Sequence, residues 1–490
     1  KERMIKMGKL DGLKPERVFY YFEELTKIPR CSNEEQRVSD YLKSVGEKLG
    51  LKVIQDEVLN IVIKKPGTKG YENRPTVVLQ GHMDMVCEKS DDVSHDFSCD
   101  PIEITVEDDF IVANDTTLGG DDGIAVAMGL ALMESTDIPH PPLELLITTS
   151  EETGLIGANK LDAKHIDGRI LINIDSEEEG TILVSCAGGE RNIVSIPYSY
   201  VNVNVNDKDS FTLKVSGLLG GHSGMEIDKG RGNSNRILGR VLNRLNEEID
   251  LSLTFVEGGS KSNAIPRFAI AKILLDKKDV DKAKSIIAEM DKTIKSELST
   301  GDKNVSITLE DAEAQAKAFS KDVKNKIITA LMLIPTGVQS MSQDIEGLVE
   351  SSNNLGVLKT LDDAVTIECA IRSSVDSLKK NIAQQIRLVA KSLDCEWKST
   401  SAYPAWEFNK DSYIREVFKD SYMELYNKEL RVEAIHAGLE CGLFKDKFGE
   451  IDMVSFGPNL YGVHAPGEKV SISSTERVYE LLLKVLENIQ

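Results

Sequence analysis

Seven acidic and imidazole side chains are of the types that bind divalent metal ions. They are His82, Asp84, Asp121, Glu151, Glu152, Asp175 and His464. Imidazole and carboxylate ligands without thiolates suit zinc, manganese or cobalt, and a carboxylate that bridges suits two ions roughly 3.5–4 Å apart. Such a pair generates hydroxide from water at neutral pH and polarises a carbonyl group, while a remaining carboxylate can act as a general base. These residues therefore predict a two-metal hydrolytic site.

Apolar, strand-forming segments precede most of these side chains. The segments 76–80, 143–149 and 170–174 each end just before one or two of the candidate ligands. Asp121 instead follows a glycine-rich turn and precedes a small apolar segment, 124–132, that predicts a buried helix. Open α/β sheets place their sites at the carboxyl ends of the strands, so acids that are distant in sequence can converge there. The predicted fold class is therefore α/β.

Length, composition and charge limit the possible functions. The 490 residues exceed what one core usually supports, so two domains are expected. There is no long apolar stretch, and the first nine residues lack the apolar core of a secretory signal, so we predict a cytoplasmic protein without membrane contact. The net charge of −21 and the pI near 4.9 argue against a nucleic-acid partner.

The cysteines and three of the histidines have no predicted catalytic role. Seven dispersed cysteines form no C-x-x-C pair and no disulfide-like framework, and we predict that they are reduced thiols. His95, His140 and His165 stand beside Asp, Pro or Lys in turn-like surroundings, which predicts surface positions.

A change in sequence texture predicts an inserted domain. Within it, a strand of alternating character feeds an amphipathic helix twice, at 211–217 with 235–245 and at 365–373 with 377–390. This layout is typical of an α+β lid with two related halves. We predict a catalytic domain formed by residues 1–190 and 401–490, and a lid domain at 191–400.

Nine ordered motifs carry a resemblance that covers the chain from about Lys14 onward. They are Gly81-His-Met-Asp-Met-Val, Thr116-Thr-Leu-Gly-Gly-Asp-Asp-Gly, Thr149-Ser-Glu-Glu-Thr-Gly, Asn173-Ile-Asp-Ser-Glu-Glu-Glu-Gly, Cys186-Ala-Gly-Gly, Gly220-Gly-His-Ser-Gly, Asn263-Ala-Ile-Pro-Arg, His436-Ala-Gly-Leu-Glu-Cys-Gly-Leu-Phe and the region of His464. As one set they resemble the M20 metallopeptidase family and, within it, the aminoacyl-histidine dipeptidases. The resemblance implies a zinc-peptidase-like catalytic domain, with a central, mostly parallel sheet between helices, and an inserted α+β lid at 191–400 that is also a dimerisation domain.

The resemblance also assigns the metal ligands. It implies two zinc ions per chain, with manganese or cobalt as substitutes. His82 and Asp175 would hold one ion, Glu152 and His464 the other, and Asp121 would bridge them.

Asp84 and Glu151 receive catalytic roles from the same resemblance. Asp84 would accept a hydrogen bond from the His82 imidazole, which fixes the tautomer of a metal ligand. Glu151 would take a proton from a metal-activated water and pass it to the leaving amine. The residues alone leave open which adjacent glutamate is the base, because neighbours on an extended chain point in opposite directions. The resemblance further implies a cis peptide bond after Asp121.

Four residues match positions that bind substrate in the family. His222 would hold the scissile carbonyl oxygen, Asn263 and Arg372 would bind the substrate's C-terminal carboxylate, and Glu440 would meet its amino terminus. An arginine fork is the natural partner of a carboxylate.

The expected function is hydrolysis of dipeptides with a free amino terminus, preferentially Xaa-His and including the β-Ala-His type. The alternatives are an M20 aminoacylase or deacetylase, or a broad short-peptide peptidase. A non-catalytic binding protein is disfavoured because no expected ligand or base is replaced. The expected partners are a small peptide substrate and a second copy of the chain, which would pair through the lid.

Overall fold

The structure is a computed structural model that describes residues 8–313 and 315–490. These residues form two compact units. Unit 1 comprises the described residues up to Ser185, together with Phe408–Ala434 and Leu439–Gln490, and unit 2 comprises Cys186–Glu407 and Ile435–Gly438. As functional domains, the predicted segments 1–190, 191–400 and 401–490 stay a prediction. Among the described residues, no helix is long and apolar enough to span a membrane.

The helices, in chain order, are α1 (Glu16–Thr26), α2 (Gln36–Lys48), α3 (Gly120–Glu134), α4 (Ile156–Lys160), α5 (Ser234–Glu248), α6 (Val280–Glu297), α7 (Lys321–Leu333), α8 (Asp376–Ser392), α9 (Tyr413–Tyr426), α10 (Glu440–Phe448) and α11 (Ile472–Asn488). Short 3-10 turns occur at Ala163–His165, Ile227–Lys229 and Lys277–Asp279.

The strands, in chain order, are β1 (Lys52–Gln55), β2 (Ile61–Lys65), β3 (Val77–His82), β4 (Ile104–Glu107), β5 (Phe110–Ala113), β6 (Leu143–Thr148), β7 (Ile170–Asn173), β8 (Thr181–Cys186), β9 (Gly188–Pro197), β10 (Tyr200–Asn202), β11 (Lys208–Ser216), β12 (Gly221–His222), β13 (Ser252–Gly258), β14 (Ala264–Ile265), β15 (Ala269–Asp276), β16 (Ser306–Asp311), β17 (Lys317–Phe319), β18 (Gly337–Met341), β19 (Val349–Thr360), β20 (Ala364–Ser373), β21 (Glu396–Tyr403), β22 (Arg431–Ile435), β23 (Asp452–Ser455), β24 (Leu460–Tyr461) and β25 (Lys469–Ser471).

Unit 1 is built on an eight-stranded mixed sheet in the order β1-β2-β6-β3-β7-β23-β8-β22. The four central strands, β6, β3, β7 and β23, run parallel, and the pairs β1/β2, β2/β6 and β23/β8 are antiparallel. The α/β class is therefore confirmed, with the parallel character concentrated at the centre. Every residue of β3, β6 and β7 is buried, which explains their nearly continuous apolar sequences.

Two predictions about structural residues in unit 1 are wrong. Cys31 and Cys87 form a disulfide, although all seven cysteines were expected to be reduced. The two cysteines are 56 residues apart, and a parallel bridge between Cys31 and Met85 brings them together, so their spacing in sequence gave no signal. His140 is fully buried, and its Nδ1 lies 2.7 Å from the carbonyl oxygen of Pro141.

Unit 2 contains a second large sheet and its own hydrophobic core. Its strands follow the order β16-β11-β15-β13-β19-β20-β9-β21, β18 also pairs with β19, and the pairings are antiparallel. The two predicted strand-to-helix stretches are present as β11 with α5 and as β20 with α8. Buried apolar residues of the sheet and of α5 to α8 form one cluster.

Candidate active site

The carboxyl ends of three central strands in unit 1 deliver most of the candidate ligands. Strand β3 ends at His82, β6 ends three residues before Glu151, and β7 ends two residues before Asp175. Because β6, β3 and β7 are parallel neighbours, these ends meet at one edge of the sheet.

Asp121 reaches the same edge from the start of α3. The preceding turn needs a glycine at Gly119, whose φ is +70° and where a Cβ would collide with the buried Arg30 guanidinium. The peptide bond between Asp121 and Asp122 is cis, as expected. Asp122 is also buried, and its Oδ2 accepts a hydrogen bond from the His82 amide at 3.1 Å.

The five predicted metal ligands lie together and form two groups with one shared member. One group is His82, Asp121 and Asp175, and the other is Asp121, Glu152 and His464. The ligand atoms of each group lie within 4.8 Å of one another. His82 and Glu152 also form such a group with Glu151, so geometry alone does not assign every carboxylate to one ion.

Asp121 contacts both imidazoles, as a bridging carboxylate should. Its Oδ1 lies 3.0 Å from His82 Nε2, and its Oδ2 lies 3.0 Å from His464 Nε2. His464 Nε2 is 2.8 Å from a Glu152 oxygen, and His82 Nε2 is 3.7 Å from an Asp175 oxygen. Imidazole and carboxylate atoms at these separations could hold the predicted pair of divalent ions.

The imidazoles and carboxylates strongly perturb one another's protonation. Hydrogen bonds that His464 donates to Asp121 and Glu152 raise its pKa to about 10. Burial opposes the charge on His82, but its carboxylate neighbours outweigh burial and raise its pKa well above the ordinary value. Protons on the two imidazoles thus offset the negative charge of the carboxylates in the absence of metal ions. Metal binding would displace these protons.

Two carboxyl groups of the site resist ionisation. Burial is the main cause, and it raises the pKa of Asp175 to about 6 despite the nearby His82. Burial also raises the pKa of Glu151 well above its ordinary value. Raised pKa values in two neighbouring carboxyl groups are typical of a functional site, and divalent ions would stabilise the ionised forms.

The contacts of Asp84 differ in part from the prediction. His82 Nδ1 lies 3.1 Å from the main-chain oxygen of Asp84 and 3.5 Å from its carboxylate, so the main-chain oxygen is the nearer acceptor. The carboxylate accepts hydrogen bonds from the amides of Glu151 at 3.0 Å and Glu152 at 3.4 Å, and from the Ser32 hydroxyl at 2.7 Å. Asp84 therefore fixes the backbone of both glutamates.

Three of the predicted substrate-binding residues belong to unit 2. Asn263 and Arg372 line one cavity of about 680 Å³, and Arg372 donates to the Tyr403 hydroxyl at 3.2 Å. A Cβ on Gly224 would lie 3.0 Å from His222 Cε1 and 3.3 Å from Arg372 Cζ, so both side chains border this glycine. Burial and the nearby Arg372 lower the pKa of His222.

Glu440, the fourth, is the first residue of α10 in unit 1 and is fully buried. One carboxyl oxygen accepts hydrogen bonds from Gln80 at 2.5 Å and from Thr148 at 2.8 Å. The other oxygen has no hydrogen-bond partner among the described residues. Burial raises the pKa of Glu440 to about 8. In this structure the residue joins β3 and β6, and its role towards a substrate amine stays a proposal.

Two buried charged residues that the sequence did not single out contact the ligand-bearing loops. The Arg30 guanidinium donates to the carbonyl oxygens of Met83 at 3.0 Å and Gly119 at 2.5 Å. The Glu468 carboxylate accepts hydrogen bonds from the amides of residues 118–121. Neither residue lies in a metal-ligand pattern. The one sequence signal was the position of Glu468, four residues after His464.

Comparisons with known proteins found a matching family and two similar full-length chains. The model of peptidase family M20/M25/M40 matches residues 78–488. The cytosol non-specific dipeptidase of Escherichia coli strain K12 is 38% identical over 483 residues, which are 99% of both chains. The crystal structure of an aminoacylhistidine dipeptidase from Vibrio alginolyticus has a TM-score of 0.94 and 37% identity, with 98% of each chain covered.

A more distant structural match supports the fold alone. The crystal structure of the aminopeptidase PepT from Bacillus cereus has a TM-score of 0.57 and 17% identity, and covers 97% of this chain and 99% of its own. The family model matches more than half of the chain, and the Escherichia coli relative matches it over almost its full length. The chain belongs to peptidase family M20/M25/M40 and is a hydrolase that acts on peptide bonds.

Proposed function

We propose that this peptidase is a cytoplasmic two-metal dipeptidase. It cleaves dipeptides that have a free amino terminus, with a preference for Xaa-His that includes the β-Ala-His type. The observation that carries the proposal is the pair of ligand groups, His82-Asp121-Asp175 and Asp121-Glu152-His464, which share one carboxylate. When bound, two zinc ions supply Lewis acidity that polarises the peptide carbonyl and acidifies a water, and manganese or cobalt can substitute.

Glu151 is the general base in this proposal. It lies beside Glu152 at the strand-end edge, and the Asp84 carboxylate holds the amides of both residues. Glu151 takes a proton from the attacking water and delivers it to the leaving amine. Burial raises the pKa of Glu151 above its ordinary value, which makes its carboxylate a stronger proton acceptor.

Substrate recognition is assigned to charged and polar groups that suit the two ends of a dipeptide. Arg372 and Asn263, which line one cavity, bind the C-terminal carboxylate. His222 holds the scissile carbonyl oxygen as negative charge develops on it. Glu440 is the proposed partner of the substrate's ammonium group, whose charge would lower the raised pKa of that carboxyl.

The two full-length relatives suggest different breadths of substrate. One is described as a non-specific dipeptidase and the other as an aminoacylhistidine dipeptidase. A broad short-peptide peptidase is therefore the second candidate, and the two relatives support both. An aminoacylase or deacetylase would ignore the free amino terminus, so the proposed role of Glu440 distinguishes a dipeptidase from these enzymes.

We also propose a homodimer that pairs through unit 2.

Hydrolysis of a small substrate panel tests the proposed function. The purified chain is supplied with zinc or manganese and assayed with Ala-His, β-Ala-His, Ala-Ala, Ala-Ala-Ala and N-acetyl-Ala, with a chelated sample as control. The expected result is chelator-sensitive cleavage of the free dipeptides, fastest for those that end in histidine, with the tripeptide and the acetylated compound spared.

Other results would redirect the assignment. Equal rates for Ala-His and Ala-Ala would establish the broad peptidase. Cleavage of N-acetyl-Ala alone would identify an aminoacylase and overturn the proposed role of Glu440. Silence across the panel would reject the dipeptidase proposal.

A further inference from the structure

The Glu468 carboxylate binds four consecutive backbone amides of the loop that carries Asp121. One oxygen accepts from Leu118 at 2.8 Å and Gly119 at 3.0 Å, and the other accepts from Gly120 at 2.7 Å and Asp121 at 3.2 Å. Glu468 is 2% exposed, so water does not replace these bonds. An ionised acceptor shared by four amides fixes the loop more firmly than neutral acceptors would.

The same residue belongs to the chain segment that carries His464. The segment runs from β24 to β25, and the Glu468 amide donates to the carbonyl oxygen of Ala465 at 3.2 Å. His464 itself has a positive φ of 63°. Glu468 therefore ties the segment that presents His464 to the loop that presents Asp121, across 347 positions of sequence. Asp121 takes part in both contacts: its amide donates to Glu468, and its Oδ2 lies 3.0 Å from His464 Nε2.

Arg30 holds the same loop from its carbonyl side. Its fully buried guanidinium donates to the oxygen of Gly119, and also to the main-chain oxygens of Met83 and Asp84 at 3.0 and 3.3 Å. The loop before Asp121 is thus fixed to the end of β3 through Arg30 and to the His464 segment through Glu468. Arg30 therefore stabilises the His82 side of the loop, and Glu468 stabilises the His464 side.

We propose that Glu468 is a positioning residue for the Asp121-Glu152-His464 group, and that losing its carboxylate weakens metal binding there while the His82-Asp121-Asp175 group keeps its ion. This inference rests on the proposed two-metal function. It concerns the geometry between ligands, because Glu468 has no place in either ligand group.

The substitution Glu468→Gln isolates this role. The amide has one acceptor oxygen where the carboxylate has two, and its NH₂ group would face two backbone N–H donors. The change in size is minimal, yet two of the four amides lose their acceptor. The tie between the two segments is therefore weakened without a cavity.

Glu144→Gln is the matched control. Glu144 is also 2% exposed, and it likewise accepts backbone amides, those of Asp167 at 3.0 Å and Gly168 at 2.9 Å. It stands near the start of β6, at the opposite end of the strand from Glu151. Any general effect of placing an amide at a buried carboxylate site should appear in both variants.

Metal binding is measured by titration of the metal-free full chain with Mn²⁺ and by metal content after dialysis at fixed free Mn²⁺. We expect two ions per chain in the wild type and in Glu144→Gln. Glu468→Gln should bind one ion normally and the second at least ten-fold more weakly, with the second ion returning as free Mn²⁺ is raised.

Three results would overturn the inference. They are two ions of wild-type affinity in Glu468→Gln, loss of both ions together, or the same loss in Glu144→Gln. Peptide hydrolysis is measured separately. A wild type that binds two ions but cleaves no dipeptide would reject the proposed substrate and leave the positioning role standing.

Discussion

At the residue scale, the site is defined by which charges can coexist. Asp121 stays ionised although burial opposes it, because hydrogen bonds from His464 and His82 hold its pKa below the ordinary value. The pKa values of Asp175 and Glu151 are raised instead, because burial is the dominant effect on these two carboxyl groups. Residue types alone predicted a metal-binding set. They could not predict that the Asp84 carboxylate would bind the amides of the two glutamates, since that depends on how β3 and β6 are aligned.

The proposed division between base and ligand predicts different outcomes for two substitutions. Glu151→Gln removes the proton acceptor, so kcat for Ala-His should fall by roughly 10²–10⁴-fold with two ions retained. His464→Ala removes a ligand atom and should leave one ion per chain. Metal analysis after dialysis and steady-state kinetics check both variants. Glu178→Gln, at an exposed position three residues after Asp175, is the control and should resemble wild type. Equal metal loss in the first two variants would refute the assignment.

A second residue-scale prediction concerns His436 in unit 2. Burial and the nearby Arg372 lower its pKa to about 3, and Ser352 Oγ lies 2.7 Å from its Nε2. The unfolded state takes up a proton near pH 6.5, whereas the folded state does not. Its contribution to stability is therefore complete above that pH and declines as pH falls towards 3. At pH 5 the loss is about 2 kcal/mol, from 1.36 kcal/mol per pH unit.

Urea unfolding at pH 7.5 and pH 5.0 checks this contribution. Between pH 7.5 and pH 5.0, the free energy of unfolding should fall by about 2 kcal/mol less in His436→Gln than in wild type. An unchanged pH dependence in His436→Gln would show that this histidine titrates normally in the folded chain.

At the element scale, the sequence predicted the elements with strong local signals. Buried apolar runs identified β3, β6 and β7, and amphipathic periodicity identified α5 and α8. The contacts that fix the loops between elements could not be predicted. Glu468 contacts residues 118–121, and Cys31 is bonded to Cys87, although these partners are far apart in sequence. Local patterns carry no information on such long-range partners.

The disulfide makes an element-scale prediction. It joins the segment after α1 to the segment after β3. The hydrogen bond from the Ser32 hydroxyl to the Asp84 carboxylate lies one residue away in the first segment. Closing a loop of this length in the unfolded chain contributes about 4 kcal/mol by chain entropy. Reduction should therefore lower the unfolding temperature, and the double variant Cys31→Ser, Cys87→Ser should behave like the reduced protein.

Thiol counting in denaturant provides the direct check. The oxidised chain should show five reactive thiols, from Cys99, Cys186, Cys369, Cys395 and Cys441. Reduction should raise the count to seven. Seven thiols without any reductant would mean that the bond does not form in solution.

At the scale of the whole molecule, the two units carry different chemistry and different optical probes. The candidate metal ligands all belong to unit 1, and the two tryptophans, Trp397 and Trp406, both belong to unit 2. Unit 2 also has its own hydrophobic core. Tryptophan fluorescence therefore reports on unit 2, while circular dichroism reports on both units. The sequence predicted an inserted segment. The unit boundaries that the fold defines were needed to place both tryptophans in unit 2.

Metal removal should act on one unit more than on the other. Free metal at 100 times its Kd stabilises the folded state by about 2.7 kcal/mol per site, and a unit of this size shifts by roughly 2–4 °C for each kcal/mol. Chelation should therefore lower the dichroism transition of unit 1 by about 5–10 °C per ion and leave the fluorescence transition of unit 2 in place. Thermal scans of one sample by both methods, with and without chelator, make the measurement, and His464→Ala should reproduce part of the shift. If both transitions moved together, the units would unfold as one, and the stabilising effect of the metals would extend to the whole chain.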